Sequence, residues 1–449
     1  MTRMPVTATE QAVAHLDART WAAANTRMVT KMISEFSHEL LITPVKDGGD
    51  DNVYTLSLDH GVRYRFAARV LELEHWHIEA GTLERTVGGA PAPLDAVTLI
   101  TELREVLGIG PAALPIYLEE ITATLYSMAY KLAHGGPAAA NFVDGDFQQI
   151  EAAMMEGHPA FVANSGRIGF DSVDYRAYTP EAAAPIRLVW VAAHIDRAEF
   201  ACSADRSYGE HIAAELDGAN HEAFIDRLVA QGLDPADYLF MPVHPWQWHN
   251  KLVYLFAGEI ASQHLVYLGF GQDTYQAQQS IRTLFNRDNT ERCYVKMALS
   301  ILNMGFTRGL SPYYMRGTPE INDWIDQLIR GDAYLQSKGF SILREVASIG
   351  YRHPQFEAAA PKTDAYNKML AALWRESPFK QVESGQRLMT MAALLHRDAD
   401  EASVIGALID ASSLDIDRWL ARYLDAYMSP LLHCFFAHDL VFMPHGENI

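Results

Sequence analysis

Apolar residues near the N-terminus recur with a helical period. Trp21, Met28, Met32, Phe36 and Leu40 are spaced by four or seven residues, so their side chains fall on one face of a helix. We therefore predict a long amphipathic helix in this part of the chain.

The period changes to two after the polar, glycine-rich segment 46–52. Alternation over 53–58 and 62–68 predicts a β-hairpin, and a third strand is predicted at 75–80. The next predicted elements are helices over 96–107 and 117–131 and a buried strand over 186–195.

The pattern from residue 319 onward is mainly helical. Apolar residues recur at helical intervals over 321–335, 365–373, 386–395, 402–408 and 416–432. The last segment, 439–449, predicts a strand that leads into a polar turn.

Length and charge narrow the function classes. A chain of 449 residues exceeds one ordinary core, so we expect two or three subdomains. The net charge of -20 argues against nucleic acid as a partner, because phosphate backbones are bound by concentrated Lys and Arg. An anionic substrate must therefore be held by a local basic pocket.

Cysteine usage and the apolar runs predict a cytoplasmic location. Cys202, Cys293 and Cys434 are scattered without CxxC spacing, which favours a reducing compartment over a disulfide framework or a zinc site. The N-terminal residues lack the apolar core of a signal peptide. The apolar runs are far shorter than the ~20 residues that cross a bilayer, so no membrane association is expected.

The segment 278–312 concentrates cations and hydroxyl groups among apolar residues. Its polar members include Ser280, Arg282, Thr283, Lys296, Asn303, Thr307 and Arg308. Charge-assisted hydrogen bonds to oxyanions are strong, so this pattern predicts a site for a nucleotide triphosphate or a carboxylate. The alternative is an amphipathic hairpin and helix whose charged side chains lie in water.

A second candidate for ligand contact is the segment 156–172, which is rich in Gly, Pro, Asn and Ser and carries His158 and Arg167. A glycine-lined loop lets backbone N–H groups approach a phosphate closely. The alternative is an irregular connection between a helix and a sheet.

The histidine spacings do not predict a metal site. His244 and His249 are five residues apart, so we expect His244 and Gln247 to pack and to hydrogen-bond rather than to bind zinc. His433, His438 and His445 with Cys434 match no usual ligand pattern, and metal ligands stay unassigned. The motifs GxxxxGK[ST], GxSxG and HExxH are absent, so any use of ATP would not involve a Walker loop.

Several longer sequence motifs resemble those of a known family. They are GHP at 157–159, GRxGF at 166–170, HPWQW at 244–248, QQSIRT at 278–283, YVKMALSILNMGFTRGLSP at 294–312, RExP at 375–378 and PHGEN at 444–448. In this order they resemble the IucA/IucC-type NRPS-independent siderophore (NIS) synthetases over nearly the whole chain. Within that family, WRESP and TPEINDW look like the desferrioxamine branch, although Phe161-Val162 and Ser165 replace a second His-Pro and a loop lysine of other members.

The resemblance implies a cupped-hand α+β fold with a thumb over 1–150, fingers over 151–360 and a palm over 361–449. It also implies a homodimer that uses ATP and Mg²⁺. The family activates a substrate carboxylate as an acyl adenylate with release of pyrophosphate, and an amine then displaces AMP to form an amide. In the desferrioxamine branch the substrate is an N-hydroxy-N-succinyl diamine.

The site residues are carried over from the same motifs. The resemblance implies that Ser280, Arg282, Thr283 and Lys296 hold the triphosphate. Arg308 would orient the carboxylate, and Lys296 and His445 would assist catalysis. Thr307 and Asn303 are expected on the substrate side, and the further nucleotide contacts would be His158, Arg167, Arg375 and Asn448.

Members of the family continue well beyond PHGEN, so the palm is expected to be incomplete and this chain to have weak or no synthetase activity. Two alternatives stay open. The chain could belong to an NIS branch that uses citrate or a 2-oxoglutarate-derived acid, or it could be a non-catalytic relative that binds a siderophore or a nucleotide.

Overall fold

The computed structural model describes residues 7–49, 52–398 and 400–449, so part of the polar segment 46–52 lies outside it. The Cα positions group into two compact units. The first unit comprises residues 1–137, 155–170 and 302–306, and the second comprises 138–154, 171–301 and 307–449. The predicted α+β class is confirmed, whereas the three-part division at residues 150 and 360 stays a prediction.

The first unit combines a sheet with helices. Its helices are α1 (Ala8–Val13), α2 (Ala18–His38), α3 (Ala96–Leu103) and α4 (Leu114–His134). Its strands are β1 (Val45–Lys46), β2 (Val53–Ser57), β3 (Val62–Leu71), β4 (His75–Ile78), β5 (Glu84–Val87) and β6 (Ala90–Ala92). The sheet order is β1-β2-β3-β5-β6, and β4 also pairs with β3.

Local sequence explains the helix at the start of this unit. Asp17 caps α2 by accepting hydrogen bonds from the backbone N–H groups of Arg19 and Thr20. Met28 and Met32 on its apolar face are fully buried in the core that the sheet helps to form. The predicted first helix, the hairpin, the third strand and the next two helices are all confirmed.

The second unit is built on a larger sheet. Its strands are β7 (Ile186–His194), β8 (Ala198–Cys202), β9 (Tyr238–Val243), β10 (Leu265–Ala277), β11 (Thr283–Asn286), β12 (Tyr294–Met297), β13 (Leu299–Asn303), β14 (Phe306–Arg308), β15 (Glu345–Tyr351) and β16 (Ala371–Arg375). Of these, β13 and β14 pair with each other in a separate short hairpin. The other eight run in the order β8-β15-β16-β12-β11-β10-β7-β9, and every neighbouring pair is antiparallel.

The helices of this unit vary widely in length. They are α5 (Phe147–Ala153), α6 (Ser172–Tyr178), α7 (Tyr208–Glu215), α8 (Gly218–Val229), α9 (Pro245–Gln247), α10 (Val253–Leu255), α11 (Ala257–Ala261), α12 (Pro312–Met315), α13 (Thr318–Gly331), α14 (Ala333–Ser337), α15 (Pro354–Ala359), α16 (Val404–Ser412) and α17 (Ile416–His438). None of the helices in the described ranges has the length and apolar character needed to span a bilayer.

The two faces of the central strands differ in chemistry. Val295 and Trp374 lie opposite each other on β12 and β16 and are buried in the main apolar core of the unit. Since successive strand residues point to opposite faces, Lys296 and Arg375 lie on the other side of the sheet. One face of these strands therefore packs in the apolar core, and the opposite face carries charged side chains.

Three predicted elements in the second unit are wrong. Residues 365–373 do not form one helix, because a 3-10 turn over Ala365–Lys368 is followed by strand β16. The run Ala-Ala-Leu-Trp has no period of two, since both faces of this central strand are buried. In 386–395 only Met391–Leu395 is helical, as a 3-10 turn, and 439–449 forms no strand. At its start, Asp439 ends α17 in a left-handed conformation with φ 51°.

The segment 241–248 confirms the structural role expected for His244 and Gln247. Both side chains are buried, with exposed fractions of 0% and 1%. The amide nitrogen of Gln247 donates to Ser300 Oγ at 2.9 Å and to the carbonyl oxygen of Met369 at 2.8 Å. The Trp246 backbone N–H donates to His244 Nδ1 at 3.1 Å. These bonds satisfy polar groups inside the unit.

Two buried histidines should make the protein sensitive to acid. Burial lowers the pKa of His244 to about 3, and burial together with the charge of Arg206 lowers the pKa of His211 to about 3. Because both values lie below the unfolded value of about 6.5, the unfolded chain takes up protons first, and stability is lost as the pH falls from about 6.5 toward 3. We expect a loss of about 1.4 kcal/mol per pH unit for each histidine.

Urea unfolding between about pH 7 and about pH 5 measures this loss. The dependence of the free energy of unfolding on pH should become weaker in His211→Gln. It should stay unchanged in His249→Gln, since His249 is exposed. Equal slopes in the wild type and in His211→Gln would contradict the assignment.

Candidate active site

The strand register brings the predicted cations to one face of the sheet. Lys296 on β12 lies opposite Thr283 on β11, and Arg375 on β16 lies opposite both Tyr294 on β12 and Glu345 on β15. Paired residues share a face, and so do residues two apart in one strand. Thr283, Lys296, Arg375 and Glu345 therefore project from the same side, opposite the core.

Glu345 lies between two of the cations. Lys296 Nζ lies 3.5 Å from Glu345 Oε1, and Arg375 Nη2 donates to the same oxygen at 2.9 Å. The side chains of Glu345, Lys296 and Arg375 are 19%, 20% and 30% exposed. Burial alone would raise the pKa of Glu345, but the charges of Lys296 and Arg375 outweigh it and lower that pKa. The carboxylate therefore stays ionised.

Arg282 adds a third cation close to this pair. Its guanidinium donates to the carbonyl oxygen of Gly309. Burial lowers the pKa of Arg282 to about 10, with further lowering by the charges of Arg308 and Arg375. Arg308 therefore belongs to the same positive environment, and we call Arg282, Lys296, Arg308 and Arg375 the cation cluster.

Lys296 is affected by its surroundings in the same way as Arg282. Burial lowers its pKa to about 8; Glu345 opposes this shift, whereas Arg375 and Arg282 add to it. One carboxylate thus lies among four cations, and their mutual repulsion favours binding of an additional anion.

Glycine at position 309 permits the close approach that supports Arg282. A Cβ atom there would lie 2.6 Å from Lys368 Cβ and 2.9 Å from the Lys368 carbonyl oxygen. The chain next to Gly309 is held by a hydrogen bond from the Leu310 N–H to that carbonyl, at 3.0 Å. Residue 309 therefore positions the acceptor of the Arg282 guanidinium.

Ser280 and Thr283 form a tight turn beside Arg282. The Thr283 N–H donates to the Ser280 carbonyl oxygen at 2.7 Å, and the Thr283 hydroxyl donates to Ser280 Oγ at 3.4 Å. The next residue toward the N-terminus, Gln279, donates its N–H to Glu151 at 2.8 Å. The two predicted hydroxyl groups thus lie together at the start of β11.

His445 and Asn448 lie in the C-terminal turn of the second unit. The Asn448 side-chain amide lies 2.9 Å from His445 Nε2, and the Ala392 N–H donates to the carbonyl oxygen of Gly446 at 3.0 Å. Burial lowers the pKa of His445, so the ring is neutral at neutral pH. Any help it gives to developing charge would therefore come from a hydrogen bond and not from a full positive charge.

A short chain of contacts connects this turn with the Ser280 turn. The residue before the 3-10 turn at Met391–Leu395 is Thr390, whose hydroxyl donates to Glu151 at 3.3 Å. Glu151 is the same residue that accepts from the N–H of Gln279. The two motifs are thus tied to one buried carboxylate.

Three predicted residues belong to the first unit. Asn303 accepts a hydrogen bond from the Arg167 N–H through its side-chain oxygen, at 3.2 Å. Arg167 is 4% exposed and has a left-handed φ of 43°, and His158 lies in the same glycine-rich segment. Thr307 opens the adjoining part of the second unit and is exposed. The ligand roles of these four residues stay predictions.

Sequence reasoning missed Glu345 and Gly309. A single glutamate before a buried apolar strand resembles an ordinary strand end, and a glycine after Arg308 resembles a turn residue. The sequence around Glu345 does not indicate its ion pair with Lys296, about 50 residues earlier in the chain. The sequence around Gly309 does not indicate its contact with Lys368.

Comparison with known protein families identifies the family of this chain. The family model described as the IucA / IucC family matches residues 146–396. The chain belongs to the IucA/IucC family. This confirms the resemblance that the motifs indicated. A second model, described as ferric iron reductase FhuF-like transporter, matches residues 417–449.

Two relatives illustrate the family membership. Putrebactin synthase of Shewanella sp. (strain MR-4) is 50% identical to this IucA/IucC chain over 97% of the chain and 69% of that protein. Aerobactin synthase of Escherichia coli is 30% identical over 97% of the chain and 73% of that protein.

Solved structures agree with the fold. Aerobactin synthetase IucC from Klebsiella pneumoniae has a TM-score of 0.84 at 29% identity, covering 96% of this chain and 74% of that protein. The petrobactin biosynthesis protein AsbB from Bacillus anthracis has a TM-score of 0.87 at 25% identity, covering 99% and 73%. The fold of the chain therefore agrees with the family membership that the sequence comparisons show.

Proposed function

We propose that this protein is an ATP-dependent ligase of siderophore biosynthesis that joins a carboxylate to an amine. The observation that carries the proposal is the cation cluster around Glu345, in a chain that belongs to the IucA/IucC family. Relatives named putrebactin synthase and aerobactin synthase support this class of reaction.

In the proposed reaction a substrate carboxylate oxygen attacks the α-phosphorus of ATP. The bond to pyrophosphate breaks, and an acyl adenylate forms. The nitrogen of an amine then attacks the acyl carbon, AMP leaves with the electron pair of the acyl–oxygen bond, and the amine loses a proton. The first step brings two anions together, so fixed cations that offset their repulsion would lower its barrier.

The cation cluster supplies such groups. We assign the triphosphate to Ser280, Arg282, Thr283 and Lys296, with Arg375 as a further nucleotide contact, and the substrate carboxylate to Arg308. His445 and Asn448 would contact the reacting groups from the C-terminal turn, and His158, Arg167, Asn303 and Thr307 are proposed as supporting contacts. Bound Mg²⁺ would neutralise charge on the phosphates.

The proposed substrate is an N-hydroxy-N-succinyl diamine of the desferrioxamine type. The 50% identity to a protein named putrebactin synthase supports ligation in siderophore biosynthesis, and the hydroxamate substrate is proposed from the resemblance of the motifs to the desferrioxamine branch. A homodimer, a cytoplasmic location and the thumb, fingers and palm division are part of the same proposal.

Release of AMP and pyrophosphate by the purified chain tests the reaction. Formation of both products from a succinyl-hydroxamate amine, and of neither from citrate, would support the ligase proposal and refute the expectation of weak or no activity drawn from the sequence. Products that appear only with citrate would shift the assignment to another branch of the family. A chain that binds ATP but forms neither product would contradict the catalytic proposal and leave nucleotide binding.

Calorimetric titration with ATP tests the site separately from turnover. The pKa of Lys296 is about 8, so its charge is lost as the pH rises through that value. We expect ATP affinity to fall by about tenfold between about pH 7 and about pH 9, because a charge-assisted contact to phosphate is lost. Lys296→Arg should remove this decrease, since arginine stays protonated. The same decrease in both proteins would exclude Lys296 as its origin.

A further inference from the structure

A second group of convergent side chains lies at the start of α14 and the end of α17. It consists of Asp332, His433 and His438, and we call it the Asp-His-His cluster. Their ligand atoms all lie within 4.8 Å of one another. The cluster shares no member with the proposed ligase site, so its chemistry is independent of the ligase proposal.

The backbone fixes the carboxylate of the cluster. Asp332 is the N-cap of α14, and its Oδ1 accepts hydrogen bonds from the N–H groups of Tyr334 at 2.8 Å and Leu335 at 3.0 Å. One oxygen is thus held by the helix start. The other oxygen, Oδ2, faces the two histidines.

Both imidazoles meet that second oxygen through the same ring atom. His433 Nε2 and His438 Nε2 each lie 2.8 Å from Asp332 Oδ2. The Tyr334 ring lies against His433 with a centroid distance of 4.5 Å, which restrains the rotation of that imidazole. The side chain of Asp332 is 15% exposed, and those of His433 and His438 are 26% and 25% exposed. The cluster is therefore packed against the protein but can still be reached by solvent.

The spacing along the chain concealed this arrangement. His433 and His438 are five residues apart, which is not the spacing of two ligands on one helix turn. They meet because His438 is the last residue of α17, and the third ligand comes from 101 residues before His433. The neighbouring Cys434 is buried and does not belong to the group whose ligand atoms converge.

We propose that the Asp-His-His cluster binds a divalent first-row transition cation, for which Zn²⁺ is the test ion. Two imidazole nitrogens and one carboxylate oxygen form a ligand set suited to Zn²⁺, Co²⁺ or Fe²⁺, and solvent can fill the remaining positions.

The two nitrogen-to-oxygen distances within the cluster are compatible with this ligand set. With metal–ligand bonds of about 2.0–2.1 Å, neighbouring ligands of an octahedral ion are about 2.9 Å apart and those of a tetrahedral ion about 3.4 Å apart. The 2.8 Å contacts already match the first spacing. Metal binding requires that the ring protons move from Nε2 to Nδ1, which frees both Nε2 lone pairs, and that the two rings turn so that these lone pairs point at the ion instead of at Asp332 Oδ2.

The competing explanation is a hydrogen-bonded lock, in which the two N–H groups hold the end of α17 to the start of α14 without any ion. His438→Gln separates the two explanations. A glutamine amide can still donate to Asp332 Oδ2, but it is a poor ligand for Zn²⁺. His249→Gln is the matched control, because His249 is an exposed helical histidine of the same unit.

The test is calorimetric titration of the chelator-treated full chain with Zn²⁺ in the absence of nucleotide. We expect binding of one equivalent, an affinity lowered by at least about tenfold in His438→Gln and His433→Gln, and an unchanged affinity in His249→Gln. Co²⁺ bound at the same site should give a visible absorption band that is lost in His438→Gln.

Two results would overturn the proposal. One is an equal Zn²⁺ affinity in the wild type and both cluster variants. The other is a hydrogen-bonded lock only, in which the wild type binds no stoichiometric Zn²⁺ although Asp332→Asn lowers its melting temperature.

Discussion

Replacing Lys296 with methionine should lower the rate of AMP formation by about 10²–10³-fold, the cost of removing one preorganised donor from developing charge. Lys296 lies on the polar face of the sheet, with Thr283 opposite it and Glu345 beside it. Methionine keeps the length of the side chain and removes the charge. In the proposed reaction the entering phosphate oxygens would then lose one of their cationic partners.

The fold should survive this change. The lysine pays a desolvation cost and is repelled by Arg375 and Arg282, and Glu345 keeps its bond from Arg375 at 2.9 Å when the lysine is removed. We therefore expect a melting temperature within a few degrees of the wild type, measured by calorimetry beside the AMP assay. Lys251→Met is the control, since Lys251 is a half-exposed lysine outside the cation cluster. An active Lys296→Met protein would remove Lys296 from the proposed catalytic set.

Replacing Trp374 with alanine should lower the free energy of unfolding by about 3–5 kcal/mol, the usual cost of deleting a large buried aromatic side chain. Trp374 is 0% exposed at the centre of the sheet. Its ring packs edge-on against His211 with a centroid distance of 4.6 Å and contacts Phe200 at 6.4 Å. Alanine would leave a cavity between β16 and these rings.

Urea unfolding followed by circular dichroism measures the effect. Trp374→Phe should recover part of the lost stability, because phenylalanine refills part of the volume. Trp324→Ala is the control: Trp324 is 55% exposed, and we expect it to cost less than about 1 kcal/mol. Equal losses at the two positions would contradict the packing described for Trp374.

Local patterns and long-range contacts differed in how well the sequence predicted them. Helix α2 was predicted because one face is buried and the other is exposed, which produces a clear period. Strand β16 was not, because a strand buried on both faces has no alternation. The local sequences of two distant segments do not indicate that the segments pair as neighbouring strands.

The candidate site shows the same difference. Arg282, Lys296, Arg308 and Arg375 could be singled out from motif words, and the structure places them in one electrostatic environment. Glu345 could not, because its role depends on the register between β15 and β16. Asp332 was missed for a similar reason, since its histidine partners lie in a helix that comes about 100 residues later.

The unequal charge balance around Glu345 links folding to ligand binding. The folded chain holds four cations beside one carboxylate. Burial is the main cause that lowers the pKa values of Arg282 and Lys296, and repulsion by neighbouring cations adds to it, so both charges are less favourable here than in water. A bound polyphosphate would relieve that repulsion, so part of its affinity would originate in strain that folding has already imposed. The ligand would then act as a thermodynamic stabiliser of the sheet that binds it.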